Sequence, residues 1–255
     1  MKKILLAMLT IASFHFAMSQ KLNGWSAHLG TDVPQKDKGV ARKTFPTEFK
    51  LYDLNLTAIR AELFKVVENA QSHTTVINIP NADGQMEAFE VVEASNFEPA
   101  LQAQFPEIRA FSGRGITDKS AMLKLSYSPQ GIQTMVFRTD GKPSEFIEPY
   151  SADHTVYAVF KRTNRPGNVN WTCSTPEKDM VLGLNDQVAR NGNTARNTGD
   201  LKTMRLAQSV TAEYSRYFGA TSAAQVNLVL AAVNTTLTRC NGCYEKDLAI
   251  HLNLI

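Results

Sequence analysis

Cysteine is scarce in this 255-residue chain, which has only Cys173, Cys240 and Cys243. Three cysteines exclude a disulfide framework, and in an exported protein the odd count leaves at least one thiol to account for. Positive charge is nowhere gathered. The formal net charge of +3 includes Lys2 and Lys3, so the rest of the chain is nearly neutral. No basic block or stripe points to nucleic acid, and no Lys/Arg cluster points to an anionic surface. Long apolar runs are also lacking beyond the first residues, and no later segment is long and uncharged enough to span a membrane. What is present is 43% hydrophobic residues, enough for a packed core, and a length that allows one large or two modest domains.

The one apolar run has the anatomy of a secretory signal peptide over residues 1–19. Lys2 and Lys3 precede a stretch from Ile4 to Met18 that only Thr10, Ser13 and His15 interrupt. Ala17-Met18-Ser19 then supplies small residues at the positions a signal peptidase reads, placing the cut between Ser19 and Gln20. The stretch is shorter than the ~20 residues of a spanning helix. The mature chain is therefore expected in the periplasm or outside the cell, with no membrane contact after signal removal.

Residues 20–43 are polar, contain Gly and Pro, show no periodicity, and read as a loose lead-in. Residues 44–162 form a β-rich domain. An extended segment carries Phe45, Phe49, Leu51 and Leu54. Asn55 or Thr57 caps a short helix with Leu56, Ile59, Leu63 and Val66 at helical spacing. Strands at 74–80 and 85–94 flank Asn81-Ala82-Asp83-Gly84, a strong hairpin signal. A helical patch at 98–105 stops at Pro106, and strands resume at 108–112, 121–127, 132–138, 144–148 and 155–161. This predicts an antiparallel sheet with a helix or two packed on it. Residues 163–201 are rich in Asn and Gly and read as an exposed linker. From 202 to 255 the pattern predicts a strand (204–214), a long helix capped by Thr221 or Ser222, and a strand (247–255). The helix carries an apolar stripe of Val226, Leu230, Val233, Leu237, Cys240 and Tyr244. Strand, helix, strand opens an α/β layer, and that second domain reads as truncated. The fold class is α+β.

Several residues carry the likeness to a known family. They are Met204-Arg205-Leu206-Ala207, Ala212-Glu213-Tyr214 and the run Asn234-Thr235-Thr236-Leu237-Thr238-Arg239-Cys240-Asn241-Gly242-Cys243-Tyr244-Glu245-Lys246-Asp247-Leu248. With Phe105-Pro106-Glu107-Ile108, Phe111 to Ile116 and Glu148-Pro149-Tyr150-Ser151 upstream, the chain resembles exported bacterial reprolysin-like zinc metalloproteases, metzincins related to the adamalysins. The resemblance implies a folding and inhibitory propeptide over 44–162, an activation cut in the linker at Arg190 or Arg196, and the start of a peptidase domain from 202. It implies zinc in the full-length enzyme, held by H-E-x-x-H with a third His, and protein or peptide substrates. It also makes the downstream catalytic domain the propeptide's partner. The chain departs from that pattern: of His15, His28, His73, His154 and His251, none is followed by Glu. No catalytic residue and no metal ligand are assigned, no zinc is expected on this chain alone, and the fragment itself is expected to be inactive. The alternative is a non-enzymatic exported binding or protease-inhibitor module.

Cys173, between propeptide and catalytic segment, is a candidate zinc latch of the proenzyme, since a thiolate binds zinc strongly; a partly buried thiol or a disulfide partner is the alternative. Cys240 and Cys243 form a C-x-x-C at the end of a predicted helix, the wrong pole to stabilise a thiolate. Cys240 is read as a small core residue, with a local disulfide as the alternative. His251 is read as structural, and Glu87, Glu90 and Glu93 as a solvated strand face. The Gly113-Arg114-Gly115 stretch is read as a loop, and the sequons at Asn55, Asn170 and Asn234 as chance.

Overall fold

The computed structural model describes residues 24–30, 45–68, 73–139, 141–164 and 200–255. Its main body is a nine-stranded antiparallel sheet. The strands are β1 (Trp25–Ala27), β2 (Lys50–Leu54), β3 (Thr75–Pro80), β4 (Met86–Glu93), β5 (Arg109–Gly115), β6 (Met122–Ser128), β7 (Gly131–Phe137), β8 (Glu145–Pro149) and β9 (Val156–Lys161). Strands β3 to β9 run as a meander. β2 and then β1 add outside β9, giving the order β1-β2-β9-β8-β7-β6-β5-β4-β3. Turn chemistry explains the meander. In the β3–β4 hairpin Gly84 takes φ 96°, while Asn81 both closes the turn through Gln85 and donates its amide to Glu87 at 2.8 Å. Gly131 takes φ 105° where β6 turns into β7, a conformation other residues adopt only with strain.

The sheet curls until its two ends meet. Lys50 of β2 and Lys161 of β9 both reach Asp83 in the β3–β4 turn, and Glu145 of β8 accepts from the backbone of Ala82. Inside the curl lies the main core, where Ile77, Phe89, Phe111, Leu123, Leu125, Ile132 and Tyr157 are all fully buried. Helix α1 (Leu56–Leu63) plugs it, presenting Ile59 and Leu63 inward, and its first turn is held by the Asn55 side chain accepting from Ala58 N. Two short helices complete this part, α2 (Lys65–Glu68) and α3 (Pro99–Gln104). The predicted elements from 45 to 161 are therefore found close to their expected bounds. Two expectations fail there. Gly113-Arg114-Gly115 belongs to β5 rather than to a loop, and Glu87 is buried and ion-paired rather than solvated.

Residues 200–255 form β10 (Lys202–Leu206), α4 (Ala212–Tyr217), a single 3-10 turn at Ala223–Gln225, α5 (Val226–Leu248) and β11 (Ile250–Leu254). β10 and β11 pair in parallel, Lys202 opposite Ile250 through Leu206 opposite Leu254. The expected strand to Tyr214 ends instead at Leu206. The Thr211 side chain then accepts from Tyr214 N at 3.2 Å and starts a helix where extended chain was expected. The final strand begins only at Ile250, because α5 runs on to Leu248 and stops at Ala249 in the left-handed region (φ 53°). The overall class is mixed α and β, dominated by the antiparallel sheet. No helix among the described residues is long and apolar enough to cross a membrane.

Candidate functional site at the sheet–helix junction

Helix α5 lies across the outer face of β5, β6 and β7, and this junction gathers buried polar side chains from both the sheet and the helix. Strand alternation sends Leu123, Leu125 and Tyr127 of β6 into the core, so Lys124, Ser126 and Ser128 project outward. All three are nevertheless buried, because the helix covers them. The helical stripe expected from the sequence is rotated. Val226 and Tyr244 are exposed, while Asn234, Thr238, Asn241 and Gly242 face the sheet beside Leu230 and Leu237. Steps of four and three put Asn234, Thr238 and Asn241 on one helix face.

These three side chains close on Asn96, which is 2% exposed. Asn96 Nδ2 donates to Asn234 Oδ1 and to Thr238 Oγ1, both at 2.8 Å, and its Oδ1 accepts from Asn241 Nδ2 at 2.9 Å. Backbone groups fix which amide atom is which. Asn234 Nδ2 donates to Arg109 O at 3.0 Å; Asn241 Oδ1 accepts from Leu252 N at 2.9 Å while its Nδ2 donates to Leu252 O at 3.0 Å. Every buried amide atom in the cluster has a partner, the condition under which such a network specifies one arrangement. Asn96 O also accepts from Leu254 N at 2.7 Å, and Phe97 forms a parallel bridge to Leu254. A small apolar cluster of Phe97, Ile108, Leu230, Ala231, Leu237 and Leu254 packs around it.

Charge pairs flank the network. Lys124 Nζ donates to Glu245, and Glu245 Oε1 lies 2.7 Å from His251 Nδ1. Burial pushes the Glu245 carboxyl up, but hydrogen bonds to His251 and Lys124 outweigh it and hold the group below the usual carboxylate range. His251 Nε2 faces Ser95 O at 3.2 Å and Asn253 Oδ1 at 3.0 Å, so the ring joins β11 to the loop before Asn96. Arg239 Nη1 contacts Glu148 Oε1 of β8 at 3.0 Å. Ser126 and Thr235 share a hydroxyl contact of 3.0 Å. Gly242 admits close approach: a Cβ there would stand 2.7 Å from Phe137 Cε2.

Beside the junction the helix leaves an open cleft of about 890 Å³. The β6–β7 turn (Gln130, Gly131) and His154 wall it on one side. Arg216 of α4 and Phe218 just after it, with Thr235 and Arg239 of α5, also line it.

The residues singled out in the sequence fall differently. Ser19, Gln20, Cys173, Arg190 and Arg196 lie outside the described residues, so neither the signal cut, the activation cut nor the latch is located. Cys240 and Cys243 are free thiols. The pair sits inside α5 rather than at its end, and burial, then the neighbouring Cys243, raises the Cys240 pKa. The helix dipole gives no help there, so the Cys240 thiol is not activated. Among the described residues no group of three or more His, Cys, Asp or Glu side chains is placed to hold a metal ion. Asn234 is buried and bonded, which removes it as a sugar acceptor. Asn96 and the polar face of α5 were missed by sequence reasoning; the only trace was the run of Asn and Thr at helical spacing.

Comparisons with protein-family models, with curated proteins and with solved structures each return no match.

Proposed function

We propose that the chain is the N-terminal part of an exported zinc metalloendopeptidase precursor, a propeptide followed by the opening strand–helix–strand of the peptidase domain. The observation that carries this reading is the state of the parallel unit β10–α5–β11. Parallel strands are normally covered on both faces, yet β10 is exposed along four of its five residues. Leu201, Met204, Leu248 and Ile255 around it are each about half exposed. A parallel pair left this open supports its being the start of a larger layer, and the buried contacts of α5 with the sheet suit a propeptide holding that unit. In this reading residues 44–162 bind and restrain the peptidase domain, and the zinc helix belongs to sequence beyond these 255 residues.

The test is to read the frame past the Ile255 codon and express the extended product. The reading expects an H-E-x-x-H, bound zinc by elemental analysis, and hydrolysis of a denatured protein substrate after the linker is cut. A frame that closes without the motif overturns it. The 890 Å³ cleft favours a second reading, a non-enzymatic exported binding or inhibitor module, which that second outcome would support.

A further inference from the structure

Residues 200–255 meet the sheet through a contact that combines an apolar cluster with a set of paired polar side chains. The apolar cluster joins Phe97 and Ile108 to Leu230, Leu237 and Leu254, and amides and charges are paired across the junction around it: Asn96 with three helix side chains, Lys124 with Glu245, Arg239 with Glu148, Arg205 with Glu98. An apolar centre ringed by paired polar groups is the anatomy of an interface between separately folded parts. The sheet's own core is closed without the segment, since α1 plugs it and none of its members comes from 200–255.

We propose that the outer face of β5–β7 together with Asn96 is a recognition surface. It binds the strand–helix–strand unit noncovalently, keeps it after the covalent connection between Asn164 and Asp200 is cut, and selects it by reading Asn234, Thr238 and Asn241. Selection follows from satisfiability. Asn96 presents two donors and one acceptor, and all are matched only by an acceptor, an acceptor and a donor at those three helix positions. Any partner helix with apolar residues there leaves the Asn96 amide buried and unpaired, at about 1–3 kcal/mol per orphaned group. The β11 backbone adds a second reading element, because Leu254 N must reach Asn96 O and Leu252 must bracket Asn241.

The inference takes from the precursor reading only the cut, and its test needs no peptidase activity, so the two fail separately. A specific protease site is placed in the connection of the full chain, the chain is cut, and the two pieces are followed by native mass spectrometry and size exclusion at micromolar concentration. They are expected to co-elute. Asn96→Asp keeps the shape but replaces both donors with acceptors facing Asn234 Oδ1 and Thr238 Oγ1. It should weaken the complex by ~100-fold or more, the loss of two hydrogen bonds with their buried partners left unmatched. Asn241→Asp makes the matching change on the helix piece and leaves the sheet domain unaltered, which separates lost recognition from misfolding. Pieces that part at micromolar concentration in the unaltered protein overturn the proposal, as do Asp variants that stay bound as tightly as the parent.

Discussion

Replacing Arg138 with Met should be among the most damaging single changes in the sheet domain. The Arg138 side chain is 6% exposed and sits among three carboxylates. Its Nη2 lies 2.9 Å from Glu87 Oε2 and 3.1 Å from Glu145 Oε2, and Nη1 lies 3.2 Å from Asp118 Oδ2. Burial alone would lower the guanidinium pKa, but hydrogen bonds to Glu87 and Glu145 raise it above its ordinary value. Methionine keeps the apolar stem and removes the charge. Glu87 and Glu145 are then left facing one another, still held in place by Asn81 Nδ2 at 2.8 Å and Ala82 N at 3.1 Å. Removing one partner of a buried pair costs about 3–5 kcal/mol. The more exposed Asp118 adds little. We expect Arg138→Met to lose about 3 kcal/mol in urea unfolding followed by circular dichroism, a large share of a typical 5–15 kcal/mol. The triple variant Arg138→Met, Glu87→Gln, Glu145→Gln removes the stranded charges and should recover most of that loss. A loss below about 1 kcal/mol for the single variant, or a triple variant less stable than the single, would refute the argument that a desolvated charge cluster closes this end of the sheet.

Two further expectations concern the junction. Gly242→Ala would gain about 1 kcal/mol from helix propensity alone, but the added Cβ would meet Phe137 Cε2 at 2.7 Å and Lys124 Cγ at 3.0 Å. Overpacking of about 1–3 kcal/mol should win, so thermal unfolding is expected at lower temperature than in the parent, and a higher one would disprove close packing. Glu245 has its folded pKa held below the ordinary 4.5. Its stabilisation is therefore complete above the ordinary value and fades as pH falls through the lower, folded one. Glu245→Gln should cost stability at pH 7 and cost progressively less on acidification below about pH 4.5; a penalty independent of pH would show that its ion pairs contribute nothing.

The antiparallel part was legible because local signals and tertiary packing agree there. Asp83-Gly84, Pro129-Gln130-Gly131 and the alternating apolar runs dictate turns and strands that the sheet then only has to assemble. From 202 onward they disagree. The apolar character of 204–214 suggested one strand, but Thr211 caps a helix and breaks it. The period of α5 is legible in its sequence, yet counting apolar residues gives the wrong phase. The sheet face it meets is polar, with Lys124 and Ser126 outermost, so the buried side of the helix is the one bearing Asn234, Thr238 and Asn241. No single-helix pattern carries that information, because the partner surface decides it. Asn96 was invisible for the same reason, as its three helix partners lie more than a hundred residues away. Glu87 read as a solvated strand residue until Arg138, fifty-one positions on, supplied its counter-ion.

The polarity of α5 bears directly on what its unit is for. A helix with one permanent contact turns its apolar residues toward that contact and its polar ones outward. On α5 three amide or hydroxyl side chains are buried against the sheet, while Val226, Tyr244 and Leu248 stand exposed at about 40–60%. β10 repeats the mismatch, with Met204 exposed on a parallel strand. Burying those residues elsewhere would return about 25 cal/mol for each Å² of apolar surface covered, and nothing in the junction competes for them. The sheet therefore covers the face of the unit that carries Leu230 and Leu237 together with the matched hydrogen bonds, and leaves Val226, Tyr244 and Leu248 uncovered. Under the proposed precursor reading, that division would leave open the surfaces on which further parts of a peptidase domain would pack. Carrying Val226→Ser and Leu248→Ser together tests it in the present chain. The junction should keep its stability within about 0.5 kcal/mol, as for exposed positions, and a larger loss would mean that these residues already serve the contact with the sheet.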